Sequence, residues 1–229
     1  MGQLNGVHHI ALMTANVKEQ IEFFSDVLGM KLKALYWMHN VDGYFHAFME
    51  LNDSCSVAFV QSPQVADIGH EFGVTHAGNP TQPCSAGVMQ HLAFNCDTDE
   101  ELYNMRDRIR AKGVRVLGPL DHGFCKSIYF GGPENLVLEV STSNGVGINE
   151  NAWIDPEVVS LNGISAEELE RYKDPEGFDR VGEPVAQPAA ATGRPEYQNM
   201  DPGFAAAFDL PDEVVTSEMS ESTPPVKAA

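Results

Sequence analysis

His9, His91 and Glu139 are the residues whose types and spacing point to chemistry. His9 and His91 each open a short apolar run, His9-Ile10-Ala11-Leu12 and His91-Leu92-Ala93-Phe94, and Glu139 stands inside another, between Leu138 and Val140. A lone carboxylate in an apolar strand is costly to bury unless it is paired or metal-bound. Two imidazoles and one carboxylate on neighbouring strands form a facial set that leaves several positions open on a divalent ion, as a ferrous centre needs. A single histidine at a strand start is more often an ordinary hydrogen-bonded residue. Two at equivalent places, with a glutamate in an apolar strand, carry the metal reading. His8 competes with His9, but strand alternation turns the two to opposite faces, and the match with residues 91–94 favours His9.

The elements that must position these groups come in two similar sets. Gly6 to Met13 reads as a strand, and Val17 to Leu28 as a helix with Ile21, Phe24, Val27 and Leu28 on one face, closed by Gly29. Strands follow at Lys31 to Met38, Tyr44 to Leu51 and Cys55 to Gln61, with Asp42-Gly43 and Asn52-Asp53 as turns. The order then returns: Gly87 to Phe94, a helix over Asp99 to Lys112 behind Thr98 as N-cap, then Val114 to Leu117, Ser127 to Phe130 and Leu136 to Val140. His9 precedes Gly29 by 20 residues and His91 precedes Gly113 by 22; His9 to Ala58 is 49 residues and His91 to Glu139 is 48. Two tandem βαβββ modules, about 5–62 and 87–143, are the α+β architecture this repetition predicts. The linker 63–86 is rich in Gly and Pro and longer than an ordinary connection, which suits a lid or a flexible link.

The last hairpin holds two more polar groups. His122 and Tyr129 precede Glu139 across the turn Gly131-Gly132-Pro133-Glu134-Asn135, and both are expected to face the substrate. Phe48, Phe59, Phe94, Phe124 and Phe130 could line the same hollow, although plain core packing suits each singly.

Composition sets limits on partners. The 229 residues carry a net charge of −19, which argues against nucleic acid and anionic membranes as partners. The charge is uneven: residues 1–143 hold 16 acidic and 9 basic side chains, and residues 144–229 hold 17 and 5. No run approaches the length of a membrane helix, Met1 to Gly6 has no leader character, and the four cysteines show no disulfide framework, so a reduced, cytoplasmic setting is expected. Residues 1–143 are read as one domain and 144–229 as an acidic, Pro- and Ala-rich extension with one helix near 164–172, capped by Ser165 and Glu168. The later part of the extension is expected to be loosely attached or disordered when alone, although Trp153, Phe178, Phe204 and Phe208 suggest that some of it docks.

Over residues 5–143 these features resemble the vicinal oxygen chelate superfamily, which includes glyoxalases, bleomycin resistance proteins and extradiol dioxygenases. The resemblance implies a cupped, barrel-like mixed sheet around a metal held by His9, His91 and Glu139. Lyases and epimerases of this group carry a fourth ligand where this chain has Ala58, so the three-ligand, ring-cleaving branch is favoured. That branch also has the order His122, Ile128-Tyr129, Pro133, Glu139. It implies His122 as acid/base and Tyr129 as a contact to the metal-bound hydroxyl, both catalytic. Another histidine is usual in the first module's final strand, where Cys55 stands; His46, or the linker's His70 or His76, could replace it. His46, Cys55, Phe59 and Phe124 are the candidate pocket residues.

The implied activity is cleavage of a catechol-like aromatic ring by Fe(II) and O2 in a homo-oligomer. Its alternative is a glyoxalase- or epimerase-like lyase or isomerase using Mn, Zn, Ni or Co. A metal-free binding module is disfavoured by the retained ligands, and an acidic tail that recruits a partner is a further reading.

Overall fold

The computed structural model describes residues 4–179, 181–189 and 193–226. The chain forms two compact units, Asn5–Glu170 and a second made of Arg171–Ala229 with Met1–Leu4. Among the described residues, no helix is long and apolar enough to cross a membrane.

The first unit holds two four-stranded mixed sheets built on one plan. Strands β1 (His9–Met13), β2 (Lys31–Trp37), β3 (Phe45–Asn52) and β4 (Cys55–Gln61) are ordered β1-β4-β3-β2. Strands β5 (Leu92–Asn95), β6 (Val116–Asp121), β7 (Lys126–Gly131) and β8 (Val137–Thr142) repeat that order as β5-β8-β7-β6. In each sheet the first strand runs parallel to the last, and the other pairings are antiparallel. The eight strands and their helices therefore form two tandem βαβββ modules.

The two module helices differ. Helix α1 (Val17–Glu22) is capped by the Asn16 side chain, which accepts from the Glu19 amide, and passes into a π-helical turn over Phe23–Val27. Helix α2 (Asp99–Ala111) is unbroken. Its capping box pairs the Thr98 hydroxyl with the Glu101 amide, and the Glu101 carboxylate with the Thr98 amide, satisfying two otherwise free donors. Gly29 takes φ +81° after the first helix and Gly113 φ +83° after the second, the left-handed exit that glycine tolerates.

One apolar core serves both modules. Phe24 is its pivot: its ring meets Phe59 edge-on at 4.9 Å and Phe94 at 6.3 Å, so one side chain touches both sheets. Met49, Val57, Leu102, Ile109, Ile128 and Leu138 complete the cluster, all fully buried. Polar ties cross the same seam. Arg108 donates to the carbonyls of Val27 (2.7 Å) and Asp26 (2.9 Å), meeting the end of the first helix. The Glu134 carboxylate accepts from the Ala15 amide (2.7 Å) and the Gln20 side chain (2.8 Å).

Beyond β8 the first unit takes in α3 (Glu150–Trp153) and α4 (Pro156–Leu161), while α5 (Ala166–Lys173) runs across the sequence boundary between the units. The Ser165–Glu168 capping box opens α5. The second unit carries α6 (Pro202–Ala207), α7 (Asp212–Met219) and a three-ring cluster of Tyr197, Phe204 and Phe208.

Candidate metal centre and proton pair

Strand alternation sorts each sheet into a face toward the helices and a face away from them. On the second sheet, His91 sits just ahead of β5, Glu139 lies in β8, and Tyr129 lies opposite Glu139 in β7. Glu139 is only 5% exposed. Its Oε1 accepts from the Ser141 hydroxyl at 2.5 Å, and Ser141 in turn meets Ser127 at 2.8 Å. Its Oε2 lies 2.9 Å from His91 Nε2.

His91 is constrained from its other side too. The Gln90 amide nitrogen donates to the carbonyls of Gln82 (3.1 Å) and Asn79 (3.4 Å) in the linker, which fixes Oε1 as the atom facing His91 Nδ1. Nδ1 therefore carries the proton it donates to Gln90. Nε2 then faces the Glu139 carboxylate across 2.9 Å, a contact that needs positive charge between the two groups. A proton on Nε2 would supply it, and so would a divalent metal ion. The pair thus fits two ligands of a metal site.

Tyr129 and His122 form the neighbouring polar group. The Tyr129 hydroxyl lies 3.0 Å from His122 Nε2, and the tyrosine ring is 6.5 Å from that of His91. Burial, joined by the nearby Glu139 carboxylate, raises the phenol above its ordinary range, while a Ser127 hydrogen bond pulls the other way. At neutral pH Tyr129 is a proton donor.

The third expected ligand stands elsewhere. His9 opens β1, with its Nδ1 2.9 Å from His8 Nδ1, and it packs edge-on against Phe48 at 5.4 Å and near His46 at 6.4 Å. Among the described residues no three His, Cys, Asp or Glu side chains converge enough to hold a metal ion. One chain therefore brings together His91 and Glu139, while His9 stands apart from them.

The pocket expectations divide. His46 shares the His9 face, packed on Phe48 at 4.4 Å with its Nε2 buried and without a hydrogen-bond partner. Burial first, and then His9, holds it below the ordinary histidine range, so it is neutral at pH 7. Cys55 shares its strand parity with Val57 and Phe59 on the helix side, so it does not stand on the His9 face. Phe59, Phe94 and Phe130 are core residues, each on the helix side of its strand, and so do not line the hollow. Phe124 packs against Trp153. His70 and His76 lie near each other at 5.7 Å in the linker, beside Phe72. Gln90 escaped notice in the sequence, where its one signal is adjacency to His91.

With this geometry established, comparison with known proteins identifies the group. The profile of the Glyoxalase/Bleomycin resistance protein/Dioxygenase superfamily matches residues 6–140. The chain belongs to this superfamily. A biphenyl-2,3-diol 1,2-dioxygenase 2 from Rhodococcus globerulus is 23% identical over 136 residues, covering 59% of this chain and 62% of that protein. The chain thus matches somewhat less than two thirds of that relative's length. Among solved structures, a superfamily domain from Frankia sp. EAN1pec aligns at TM-score 0.47 and 16% identity, covering 61% of this chain and 98% of its own. Lactoylglutathione lyase from Agrobacterium tumefaciens aligns at TM-score 0.44 and 17% identity, covering 64% and 100%. The superfamily's βαβββ pairs account for residues up to about β8; the helices after it lie outside the matched stretch.

Proposed function

We propose that this superfamily member is a metal-dependent dioxygenase that opens a catechol-like aromatic ring with Fe(II) and O2. The observation that carries the reading is the buried Glu139 carboxylate 2.9 Å from His91 Nε2, with the Tyr129–His122 pair alongside. The name of the Rhodococcus relative supports the same substrate class. His91 and Glu139 would hold the ion, and His9 would complete the set from a second copy of the chain, since His9 and its strand neighbours Ala11 and Met13 lie exposed. A bound ferrous ion supplies a redox-active Lewis acid for substrate and O2.

The side chains do the rest. Ser141 fixes the Glu139 carboxylate, and Gln90 fixes the His91 tautomer. Tyr129, kept protonated by burial, donates a hydrogen bond to a substrate oxygen. His122 Nε2, 3.0 Å from that hydroxyl, takes up the proton the diol releases and returns it later. Phe48 offers an apolar wall on the His9 face, against which a flat ring packs.

Anaerobic loading with Fe(II), followed by O2 and a panel of catechols and hydroquinones, tests this. The expected result is O2 uptake with a ring-opened product that gains both oxygen atoms. Failure of the iron-loaded protein to consume O2 with any diol, alongside turnover by Mn-, Zn-, Ni- or Co-loaded protein on an oxoaldehyde or thioester, would sink it. Mixing His9→Ala with His91→Ala tests the shared site. Recovered activity in the mixture supports a site built from two copies, and its absence overturns His9 as the ligand from a second copy.

A further inference from the structure

We infer that Trp153 is the positioning residue for His122, so that the first helix beyond the duplicated modules sets the geometry of the proton pair. The inference rests on His122 acting as proposed above. His122 sits in the four-residue turn between β6 and β7, closed by its amide donating to the Cys125 carbonyl at 2.8 Å. Gly123 follows it at φ +86°, with its amide bonded to the Asp121 carboxylate at 2.8 Å. The Trp153 indole lies directly on this turn. A Cβ added at Gly123 would stand 2.7 Å from Cζ2 and 2.8 Å from Cη2 of Trp153. The Phe124 ring meets the indole edge-on at 4.9 Å. The glycine thus serves two needs at once: the left-handed backbone and the close seat for an indole.

The segment between β8 and the helix bearing Trp153 is itself fastened. The Asn144 side chain accepts from the Asp99 amide and donates to the Asp99 carboxylate, both at 3.0 Å, and Lys126 ion-pairs with that same carboxylate. Lys126 opens β7, three residues before Tyr129. The turn is therefore held at one end by the Asp99–Lys126 pair and over its top by Trp153. Among the described aromatic contacts, the turn's rings meet Tyr129 through His122 and Trp153 through Phe124. Without the indole, residues 122–125 keep their backbone bonds but lose the packing that fixes their tilt, and the His122–Tyr129 hydrogen bond depends on that tilt.

The test compares Trp153→Ala and Trp153→Phe in the full chain, with nitrogen-15 labelled histidine. In the parent, Tyr129→Phe is expected to shift the His122 Nε2 signal, because it removes the hydroxyl 3.0 Å away. In Trp153→Ala that response is expected to vanish, and kcat to fall about tenfold with KM changed less than about twofold. Trp153→Phe, which retains a ring against Phe124, is expected to restore both. In a His122→Ala background, Trp153→Ala should cost nothing further. A His122 signal in Trp153→Ala that still answers Tyr129→Phe as in the parent overturns the inference. If the signal behaves as expected while His122→Ala leaves turnover intact, positioning stands and the role of His122 in the proposed reaction falls instead.

Discussion

The two modules share strand order, register and helix placement, yet their outward faces carry opposite chemistry. At Ala58 the first module has a fully buried methyl group paired with Ala11 and Phe48. At the matching place the second has Glu139, paired with Ala93 and Tyr129. Around Ala58 stand rings: His9, His46 and Phe48. Around Glu139 stand groups that satisfy a charge: His91, Ser141 and Tyr129. The difference teaches that a repeated frame fixes where a side chain sits, while its neighbours decide whether a charge can sit there. On both faces burial selects the uncharged form of the flanking group, neutral His46 on one and protonated Tyr129 on the other.

Exchanging the two residues breaks the comparison most sharply. On the proposed iron site, Glu139→Ala is expected to weaken Fe(II) binding by about a thousandfold, since it removes the carboxylate proposed as a ligand; anaerobic calorimetry reads this directly. Ala58→Glu puts a carboxylate into a fully buried position beside Phe48, and is expected to cost roughly 3 kcal/mol in urea unfolding. If Ala58→Glu proves neutral, the surroundings of the two positions do not differ as described.

Phe24→Ala tests what the modules share. Its ring touches both sheets, so a loss of about 3–5 kcal/mol in a single transition is expected. Two separated transitions would show instead that the modules melt independently.

A smaller effect separates ligand from support. Gln90→Ala is expected to weaken metal binding by about 10–100-fold while leaving folding unchanged, because it frees the His91 tautomer. Smallest of all is the reactivity of Cys96, at the mouth of α2. Burial, and then the carboxylates of Glu101, Asp97 and Asp99, push its thiol up to about 11. Its alkylation is expected to be slow at neutral pH and to rise steadily with pH until the thiolate predominates, as mass spectrometry of the labelled peptide would show.

The repeat was legible because its signals are local. Gly29 and Gly113 end the helices, Thr98 caps α2, and Asn52-Asp53 turns β3 into β4. The pairing of His91 with Glu139 was legible too, since each falls at a repeat-defined place in its module. Phe59, Phe94 and Phe130 take the core-packing alternative that the sequence also offered, as parity requires: Phe59 alternates with Ala58, Phe94 with Ala93, and Phe130 with Tyr129. Cys55 falls on the helix side by the same rule. The separation of His9 from His91 and Glu139 was not legible, because tandem spacing is the same however two modules are assembled. Gln90 was hidden for another reason. Its role comes from the Asn79 and Gln82 carbonyls, and backbone acceptors leave no mark in a sequence.

The Asn144 clasp has a practical meaning for anyone trimming the chain. Ending it at Thr142, where the duplicated strands stop, would strip Asp99 of an amide partner and uncap a donor at the start of α2. The smallest fragment worth making must therefore carry at least the stub that follows the last strand, and a shortened product that melts early would reflect that missing clasp rather than a weak sheet.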